Sequence, residues 1–333
     1  MNAKPILACL AAVLAGVAAA APKAPGPAQT AHRRSPYVGA ISMDAASGDV
    51  LFERGADDEA YPASVTKLMT LLLVMEDVRA GRYDYADRVV TTADVNGTCE
   101  ASWIGLKRDD VITVRDLCYA LMVESANDAA VVLAVHAAGS LDAFVARMNA
   151  RAKELGMSRT RYCNPHGLPP TGDAGRGRVR KYPWWPHFNV STARDQARLA
   201  AQLVTLPETF LFTAIKTCDL VKTAAGYRVA VTRRTNEPNR VTQVGDGERI
   251  VKQLRNHNNV MRMDGLKILN ADGKEAVDGL KTGYIEAGGS SLALTGTRKG
   301  RRAIVVVLGS SSSKERDAQA AHLLTDALGS LVW

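Results

Sequence analysis

The sequence has little of what marks metal-binding and disulfide-rich proteins. Its six histidines stand singly, and neither Cys-x-x-Cys nor His-x-x-x-His occurs, which argues against a metal site. No metal or organic cofactor is expected. Once the apolar N-terminus is set aside, four widely and irregularly spaced cysteines remain, unlike a disulfide scaffold. Their pairing stays open. They are Cys99, Cys118, Cys163 and Cys218.

Long hydrophobic runs, nucleic-acid motifs and internal repeats are also missing. Beyond the N-terminus no stretch of 18 residues is continuously apolar, so the mature chain is not expected to cross a membrane. The 47% hydrophobic and 23% charged residues are ordinary for a globular enzyme. The net charge of +8 favours anionic partners such as wall polymers, and no nucleic-acid partner is expected.

The N-terminus has the three parts of a secretory signal peptide. Lys4 provides the positive start, Ile6 to Ala20 is apolar, and Ala19 to Ala21 are small residues suited to cleavage. The sequence therefore predicts a signal peptide over 1–21 and export to the periplasm or cell-wall space, with an uncleaved anchor as the alternative. The Pro- and Ala-rich stretch 22–35 is typical of a flexible lead-in.

The remaining chain, 36–333, is predicted to form one catalytic domain. A hairpin pattern near the start and two β-runs near the end bracket a helical middle. This order favours an α+β fold of three α/β/α layers, in which helices flank an antiparallel sheet built from both chain ends and a helical subdomain is inserted. The predicted helices are 65–79, 114–123, 127–138, 141–155, 192–204 and a closing C-terminal helix.

The first motif with chemical content is Ser-x-x-Lys. Ser64 and Lys67 lie three residues apart at a predicted helix start, so the hydroxyl and the amine share one face. A serine is a poor nucleophile unless a neighbour takes its proton. Lys67 can do so if burial and a nearby cation such as Lys281 lower its pKa. Alone, the pattern also fits a helix cap followed by a surface lysine.

Two further motifs follow along the chain. Ser125 and Asn127 lie between helical runs, where one can relay a proton and the other can bind a peptide carbonyl, although such a pair is also a common helix cap. Lys281, Thr282 and Gly283 lie on a predicted edge strand. The first two can bind a carboxylate, and the glycine leaves room for a substrate backbone.

The order and spacing of the motifs make coincidence improbable. Ser-x-Asn begins 61 residues after Ser64, and Lys-Thr-Gly begins 156 residues later, before the terminal helix. This ordered triple is the signature of class A β-lactamases and penicillin-binding proteins. Five sequence segments, three of them around these motifs, also match this group. They are Pro62-Ala-Ser-Val-Thr-Lys67, Ser125-Ala-Asn-Asp-Ala-Ala130, Asn164-Pro-His-Gly-Leu168, Ser191-Thr-Ala-Arg-Asp195 and Val277-Asp-Gly-Leu-Lys-Thr-Gly-Tyr284.

In these segments the chain resembles the low-molecular-weight penicillin-binding proteins, which are the serine D-Ala-D-Ala carboxypeptidases and endopeptidases of the S11 type. The resemblance implies a β-lactamase/transpeptidase-like fold and hydrolysis of peptidoglycan stem peptides through an acyl-enzyme, with a place in cell-wall metabolism and cell shape. It also implies acylation by β-lactam antibiotics. A β-lactamase and a non-catalytic peptidoglycan-binding protein remain alternatives, although no Glu-x-x-x-Asn occurs between Ser125 and Lys281.

Carried over by resemblance, the motif residues take distinct roles. Ser64 is expected to attack and Lys67 to take its proton, while Ser125 passes a proton to the leaving amine and Asn127 holds the acyl-side amide. The substrate carboxylate is expected to face Lys281 and Thr282, beside Gly283. The backbone N–H groups of Ser64 and Tyr284 would form the oxyanion hole.

Two departures from the family pattern favour the endopeptidase branch mildly. Only 50 residues follow Gly283, so no C-terminal β domain is expected. The segment Gly309 to Ser313 also lacks the Arg with which some carboxypeptidases bind the terminal carboxylate, and the nearby Arg316 is expected on the following helix. His166 is interpreted as a turn residue held by its ring hydrogen bond rather than as a base. The Trp184-Trp185 loop fits either a substrate platform or a packed plug.

Overall fold

The computed structural model describes residues 35–92, 95, 102–169, 188–231, 244–262 and 277–331. The predicted signal peptide, almost all of the lead-in, Cys99 and the Trp184-Trp185 loop lie outside the described residues.

One five-stranded antiparallel sheet joins the two ends of the chain. Its order is β2-β1-β10-β9-β8, so the first hairpin pairs directly with the last strand. The strands are β1 Gly39–Asp44, β2 Val50–Arg54, β8 Val277–Ile285, β9 Gly289–Arg298 and β10 Arg301–Ser310. The predicted sheet built from both termini is therefore confirmed, with β8, the strand that carries Lys-Thr-Gly, at one edge.

Helices cover both faces of this sheet. Side chains on a strand alternate between its faces, and in β10 Val305 and Val307 pack with helix α7 (Ser313–Ser330), whereas Ile304 and Val306 belong to the core on the opposite face. That core contains α1 (Lys67–Arg79) and α5 (Ala193–Val204). The α+β class and the three-layer arrangement are confirmed.

The helical middle follows the predicted bounds closely. It consists of α2 (Val114–Tyr119), a π-helical turn (Ala120–Glu124), α3 (Asn127–Ala138) and α4 (Leu141–Glu154). Gly139, with φ of +77°, ends α3 in the left-handed conformation that glycine adopts readily. Among the described residues no single helix is long and apolar enough to span a bilayer. Helices α3 and α4 together, bent by 86° relative to each other, have the length and composition of a span.

A second five-stranded sheet was not predicted. Its order is β3-β4-β6-β5-β7, and the polar stretch beyond Val221 contributes part of it. Two of its strands have three residues each, too few to display a period of two. The strands are β3 Arg88–Val90, β4 Val111–Thr113, β5 Thr217–Thr223, β6 Gly226–Ala230 and β7 Arg249–Arg255, and the short helix α6 Thr209–Thr213 precedes them.

Three of the cysteines lie among the described residues, and Cys118 and Cys218 are free thiols. Cys118 and Cys218 are buried, and Cys163 is partly buried. Cys118 lies in the main core at 0% exposure, where it packs as a small hydrophobic residue.

A close backbone contact fixes the turn that precedes α1. Gly167 has φ of +93°, and a Cβ at this position would lie 1.9 Å from the carbonyl oxygen of Ala63. Only a glycine fits there. The 3₁₀ turn Ala63–Thr66 is thereby held against the segment that follows α4.

We expect Gly167→Ala to lower the free energy of unfolding by about 3 kcal/mol or more, because left-handed strain and a backbone clash act together. Gly139→Ala is the matched control, since its φ is also positive but nothing lies within 4 Å of the added Cβ. That variant should lose only about 1–2 kcal/mol. Urea unfolding of both variants measures the difference, and equal losses would contradict the role of the clash.

Candidate active site

The amine of Lys67 is the centre of the site. Lys67 is the first residue of α1, its side chain is fully buried, and its Nζ lies 2.9 Å from Ser64 Oγ. Nζ donates to Asn127 Oδ1 at 2.7 Å and to the His166 backbone oxygen at 2.8 Å. A neutral amine has two N–H groups and one lone pair. These two acceptors use both N–H groups and leave the lone pair for the Ser64 hydroxyl.

The surroundings of Lys67 favour its neutral form. Burial lowers its pKa well below the ordinary value, and the positive charge of Lys281 lowers it further, while the Asp128 carboxylate acts in the opposite direction. Desolvation is the larger cause, since a buried ammonium loses its hydration. The amine can therefore accept a proton from the serine beside it.

The wall that carries Ser-x-Asn is fixed by its backbone. Ser125 has φ of +63°, a left-handed conformation that is uncommon for serine, at the end of the π-helical turn. Asn127 begins α3, and its backbone N–H donates to the Ser102 oxygen at 2.8 Å. The buried carboxylate of Asp128 accepts from the backbone N–H groups of Ile104, Gly105 and Leu106. The loop 102–106 is thus tied to the start of α3.

The third wall is the edge strand β8. Lys281 is 2% exposed and donates to the Thr282 oxygen at 3.1 Å. Burial and the Arg316 guanidinium lower its pKa to about 7, against the opposing charge of Glu124. A Cβ on Gly283 would lie 2.5 Å from the Pro62 oxygen and 3.0 Å from the Ser64 nitrogen. This glycine lets β8 run directly past the serine.

A cleft of about 620 Å³ lies between these walls. Among the described residues, its lining contains hydroxyl, amide, imidazole and guanidinium groups but no Asp or Glu. Such a lining suits a substrate with an anionic group and several hydrogen-bonding atoms. The lining residues are Ser64, Ser102, Ser125, Asn127, Leu168, His257, Asn259, Thr282, Gly283, Tyr284, Ser290, Ser311, Ser312, Ser313 and Arg316.

The eight residues singled out from the sequence converge on this site. Six of them line the cleft, while the two lysines lie buried behind its surface. Tyr284 is the most open, at 63% exposure. Sequence reasoning missed His257, Asn259 and the serines of the cleft wall, since none of them belongs to a motif.

The position of Arg316 differs from the expectation drawn from its segment. It lies on α7, as expected, but it also lines the cleft, one turn after the serines that begin the helix. Its guanidinium donates to Asp317 at 2.6 Å, and its charge acts on Lys281. The absence of an Arg between Gly309 and Ser313 therefore does not leave the cleft without a guanidinium group.

His166 lies in a turn beside the site, and its ring is engaged by the backbone. Its Nδ1 accepts from the Leu168 backbone N–H at 3.1 Å, which agrees with its interpretation as a turn residue. Burial and the nearby Lys67 charge lower its pKa to about 3, so the ring is neutral. Asn189 supports this turn, donating to Thr66 Oγ1 and to the Asn164 oxygen, each at 3.0 Å.

The described residues contain no group of three or more His, Cys, Asp or Glu side chains that could hold a metal ion.

Comparison with known proteins gives two curated relatives of note. D-alanyl-D-alanine carboxypeptidase DacC of Escherichia coli is 31% identical over 291 residues, covering 86% of this chain and 59% of the relative. A D-alanyl-D-alanine endopeptidase of Pseudomonas aeruginosa is 33% identical over 160 residues, covering 48% of this chain and 45% of the relative. The chain spans about 60% of the length of the first curated carboxypeptidases that it matches.

Solved structures agree with the sequence matches. The D-alanyl-D-alanine carboxypeptidase DacD of Francisella tularensis superposes with a TM-score of 0.70 and 27% identity, covering 90% of this chain and 71% of that one. Penicillin-binding protein D2 of Listeria monocytogenes in its ampicillin-bound form superposes with a TM-score of 0.63 and 25% identity, covering 90% of this chain and 99% of that one. These similarities confirm the predicted fold type.

A family model described as D-alanyl-D-alanine carboxypeptidase, peptidase S11, matches residues 37–239, more than half of the chain. The matched range contains Ser64, Lys67, Ser125 and Asn127 and ends before β8. The family expected from the motifs is confirmed, and the chain belongs to the S11 family of D-alanyl-D-alanine carboxypeptidases.

Proposed function

We propose that the protein is a serine D-Ala-D-Ala peptidase that hydrolyses peptidoglycan stem peptides through an acyl-enzyme on Ser64 and is acylated by penicillins. The observation that carries this proposal is the contact between the Ser64 hydroxyl and a buried lysine amine whose two N–H groups are already engaged. Family membership and the names of the relatives support the substrate class.

The acylation step follows from this arrangement. Ser64 Oγ bonds to the carbonyl carbon of the D-Ala-D-Ala bond as its proton passes to Lys67 Nζ. The backbone N–H groups of Ser64 and Tyr284 stabilise the oxyanion, and Asn127 binds the acyl-side amide. The C–N bond then breaks as Ser125 relays to the departing amine the proton that Lys67 accepted. A water molecule later cleaves the ester and restores the serine.

The β-lactamase alternative has less support. Class A enzymes use a glutamate and a water to hydrolyse the acyl-enzyme. No acidic residue lines the described cleft, so the described part of the site offers no counterpart to that base. We therefore expect slow release of a penicilloyl group.

The charge at one end of the cleft favours a free carboxylate and thus a carboxypeptidase. Lys281 and Arg316 supply two cationic groups there, and the hydroxyls of Thr282 and Ser311 lie on the same lining. This weakens the endopeptidase preference drawn from sequence. Endopeptidase action on cross-linked peptides remains the second candidate, because the Pseudomonas relative with that name is 33% identical over its matched part.

We further propose that the protein is exported to the periplasm or cell-wall space. Peptidoglycan lies there and determines cell shape. The support is the signal-peptide pattern over 1–21 and the net charge of +8, which favours anionic wall polymers.

We expect Ser64→Ala to abolish both covalent labelling by fluorescent penicillin and peptide turnover, because the ester forms on the Ser64 hydroxyl. Ser47→Ala, in the exposed turn between β1 and β2, is the control and should leave both unchanged. Labelling is read by denaturing gel and mass analysis. Full labelling of the Ser64→Ala protein would contradict the assigned nucleophile, and turnover without Ser64 would contradict the mechanism.

The pH dependence of kcat/KM should have two limbs. Activity rises with pH as Lys67, whose pKa is lowered by burial, loses the proton that blocks it as a base. It falls as pH increases through about 7, because Lys281 then loses the charge that binds the substrate carboxylate. Initial rates on a D-Ala-D-Ala peptide between pH 5 and 10 measure both limbs.

The assignment of the alkaline limb is tested by Lys281→Arg. An arginine stays charged throughout this range, so the decline above pH 7 should disappear even if the maximal rate is lower. Lys299→Arg, in the exposed turn between β9 and β10, is the control and should keep the wild-type profile. An unchanged alkaline limb in the Lys281→Arg enzyme would assign it to another group.

We expect Arg316→Gln to raise KM for a pentapeptide monomer and to lower kcat/KM by roughly 10- to 100-fold, the usual effect of losing a charge-assisted hydrogen bond. Arg316→Lys should recover part of this loss. Thermal unfolding checks that the buried Asp317 partner tolerates the change.

Mass analysis of the products distinguishes the two candidate activities. Removal of one D-Ala from monomers supports the carboxypeptidase, whereas conversion of cross-linked dimers to monomers supports the endopeptidase.

A further inference from the structure

His257 lies on a loop whose backbone is held on both sides. It connects β7 to the 3₁₀ turn Asn259–Arg262, between two buried asparagines that are 4% and 0% exposed. Asn256 Nδ2 donates to the backbone oxygens of Thr213 and Ile215, and Asn258 Nδ2 donates to that of Gly279. The side chains of the two residues that flank His257 thus hold the loop backbone in place.

The imidazole of His257 is itself presented to the cleft. It lines the same cavity as Ser64 and Thr282 and is exposed to solvent. Among the described lining residues it is the one histidine, and its charge changes most readily between pH 5 and 8. No step of the proposed acylation uses it.

Charged groups from several elements face this imidazole. Partial desolvation at the cleft wall lowers its pKa, and so do Lys281 on β8 and Arg262 on the 3₁₀ turn, whereas the Glu124 carboxylate and the adjacent Glu124 backbone oxygen raise it. Arg316 of α7 lines the cleft too. The balance lowers the pKa of His257 below its ordinary value, so the ring is mainly neutral near neutral pH and gains its charge in acid.

These charges also indicate which end of the cleft His257 occupies. Lys281 acts on His257, and Arg316 acts on Lys281, so the three cationic groups belong to one region. Asn258 reaches Gly279 on β8, two residues before Lys281. In the proposed reaction this is the end that holds the residue beyond the scissile bond.

We propose that His257 contacts the substrate residue beyond the scissile bond, and that its protonation increases the preference of the cleft for a free carboxylate there. This inference rests on the proposed function and adds a specificity-determining residue to it. A protonated imidazole donates two charge-assisted hydrogen bonds, whereas a neutral ring offers one N–H and one acceptor nitrogen. The neutral ring accommodates an amide in place of the carboxylate.

The test compares two peptides, diacetyl-L-Lys-D-Ala-D-Ala and its C-terminal amide, by the ratio of their kcat/KM values. Titration of Lys67 in the free enzyme is common to both peptides and cancels in the ratio of their kcat/KM values. Below pH 6.5 the acid-to-amide ratio should rise roughly tenfold in the wild type as His257 gains its proton, the effect of one charged hydrogen bond. Lys281, with a pKa of about 7, is already largely protonated in this window.

His257→Gln should remove this rise while keeping the ratio measured above pH 7.5. His322→Gln is the matched control, because His322 lies on the exposed face of α7 with its ring beside Asp326. It should retain the full rise. The same tenfold change in the His257→Gln enzyme would overturn the proposal, provided that thermal unfolding shows the variant folded over this pH range.

A second measurement does not depend on turnover. In the Ser64→Ala protein, the ring signals of His257 are titrated by NMR with the acid peptide, with the amide, and alone. The acid should raise the pKa of His257 and the amide should not, since only a carboxylate stabilises the charged ring. An identical titration in all three samples would overturn the proposal. If the wild type hydrolyses neither peptide and binds no labelled penicillin, the proposed function fails instead.

Discussion

The burial of one lysine amine organises this molecule. Taking an ammonium out of water is costly, and an amine without partners is costly as well, so Lys67 persists only because three oxygens surround it. These oxygens come from three separate segments: the 3₁₀ turn before α1, the start of α3, and the turn at His166. Any shift of one segment would break a contact of a fully buried group. The packing of the helical middle against the sheet is therefore also the assembly of the site.

Two glycines show how closely the segments must approach one another. Gly167 allows the turn at His166 to press against the carbonyl of Ala63, and Gly283 allows β8 to run past the backbone of Ser64. A side chain at either position would overlap backbone atoms. The serine is thus enclosed by backbone on two sides, which is the condition for presenting preorganised N–H groups to a developing oxyanion.

Periodicity and spacing predicted most of this architecture but not all of it. The bounds of α3 and the sheet joining both chain ends followed from apolar patterns several residues long. Strands β3 and β4 could not be found that way, because each has three residues and depends on pairing with distant segments. The motif residues were found by order along the chain. Arg316 was placed on its helix, but spacing alone could not say which face turns to the cleft. His257 belongs to no motif, so its place in the cleft could not be predicted from the sequence.

The two lysines of the site are electrostatically coupled, and this coupling links binding to chemistry in the proposed reaction. The charge of Lys281 is one of the causes that lower the pKa of Lys67. A substrate carboxylate bound beside Lys281 offsets that charge, so the pKa of Lys67 rises towards its ordinary value when the cleft is filled. In the empty enzyme the amine stays neutral and ready to accept a proton. With substrate bound it becomes a stronger base, when the serine must lose its proton. A substrate without the carboxylate lacks this effect, so the same charge contributes both to recognition and to rate.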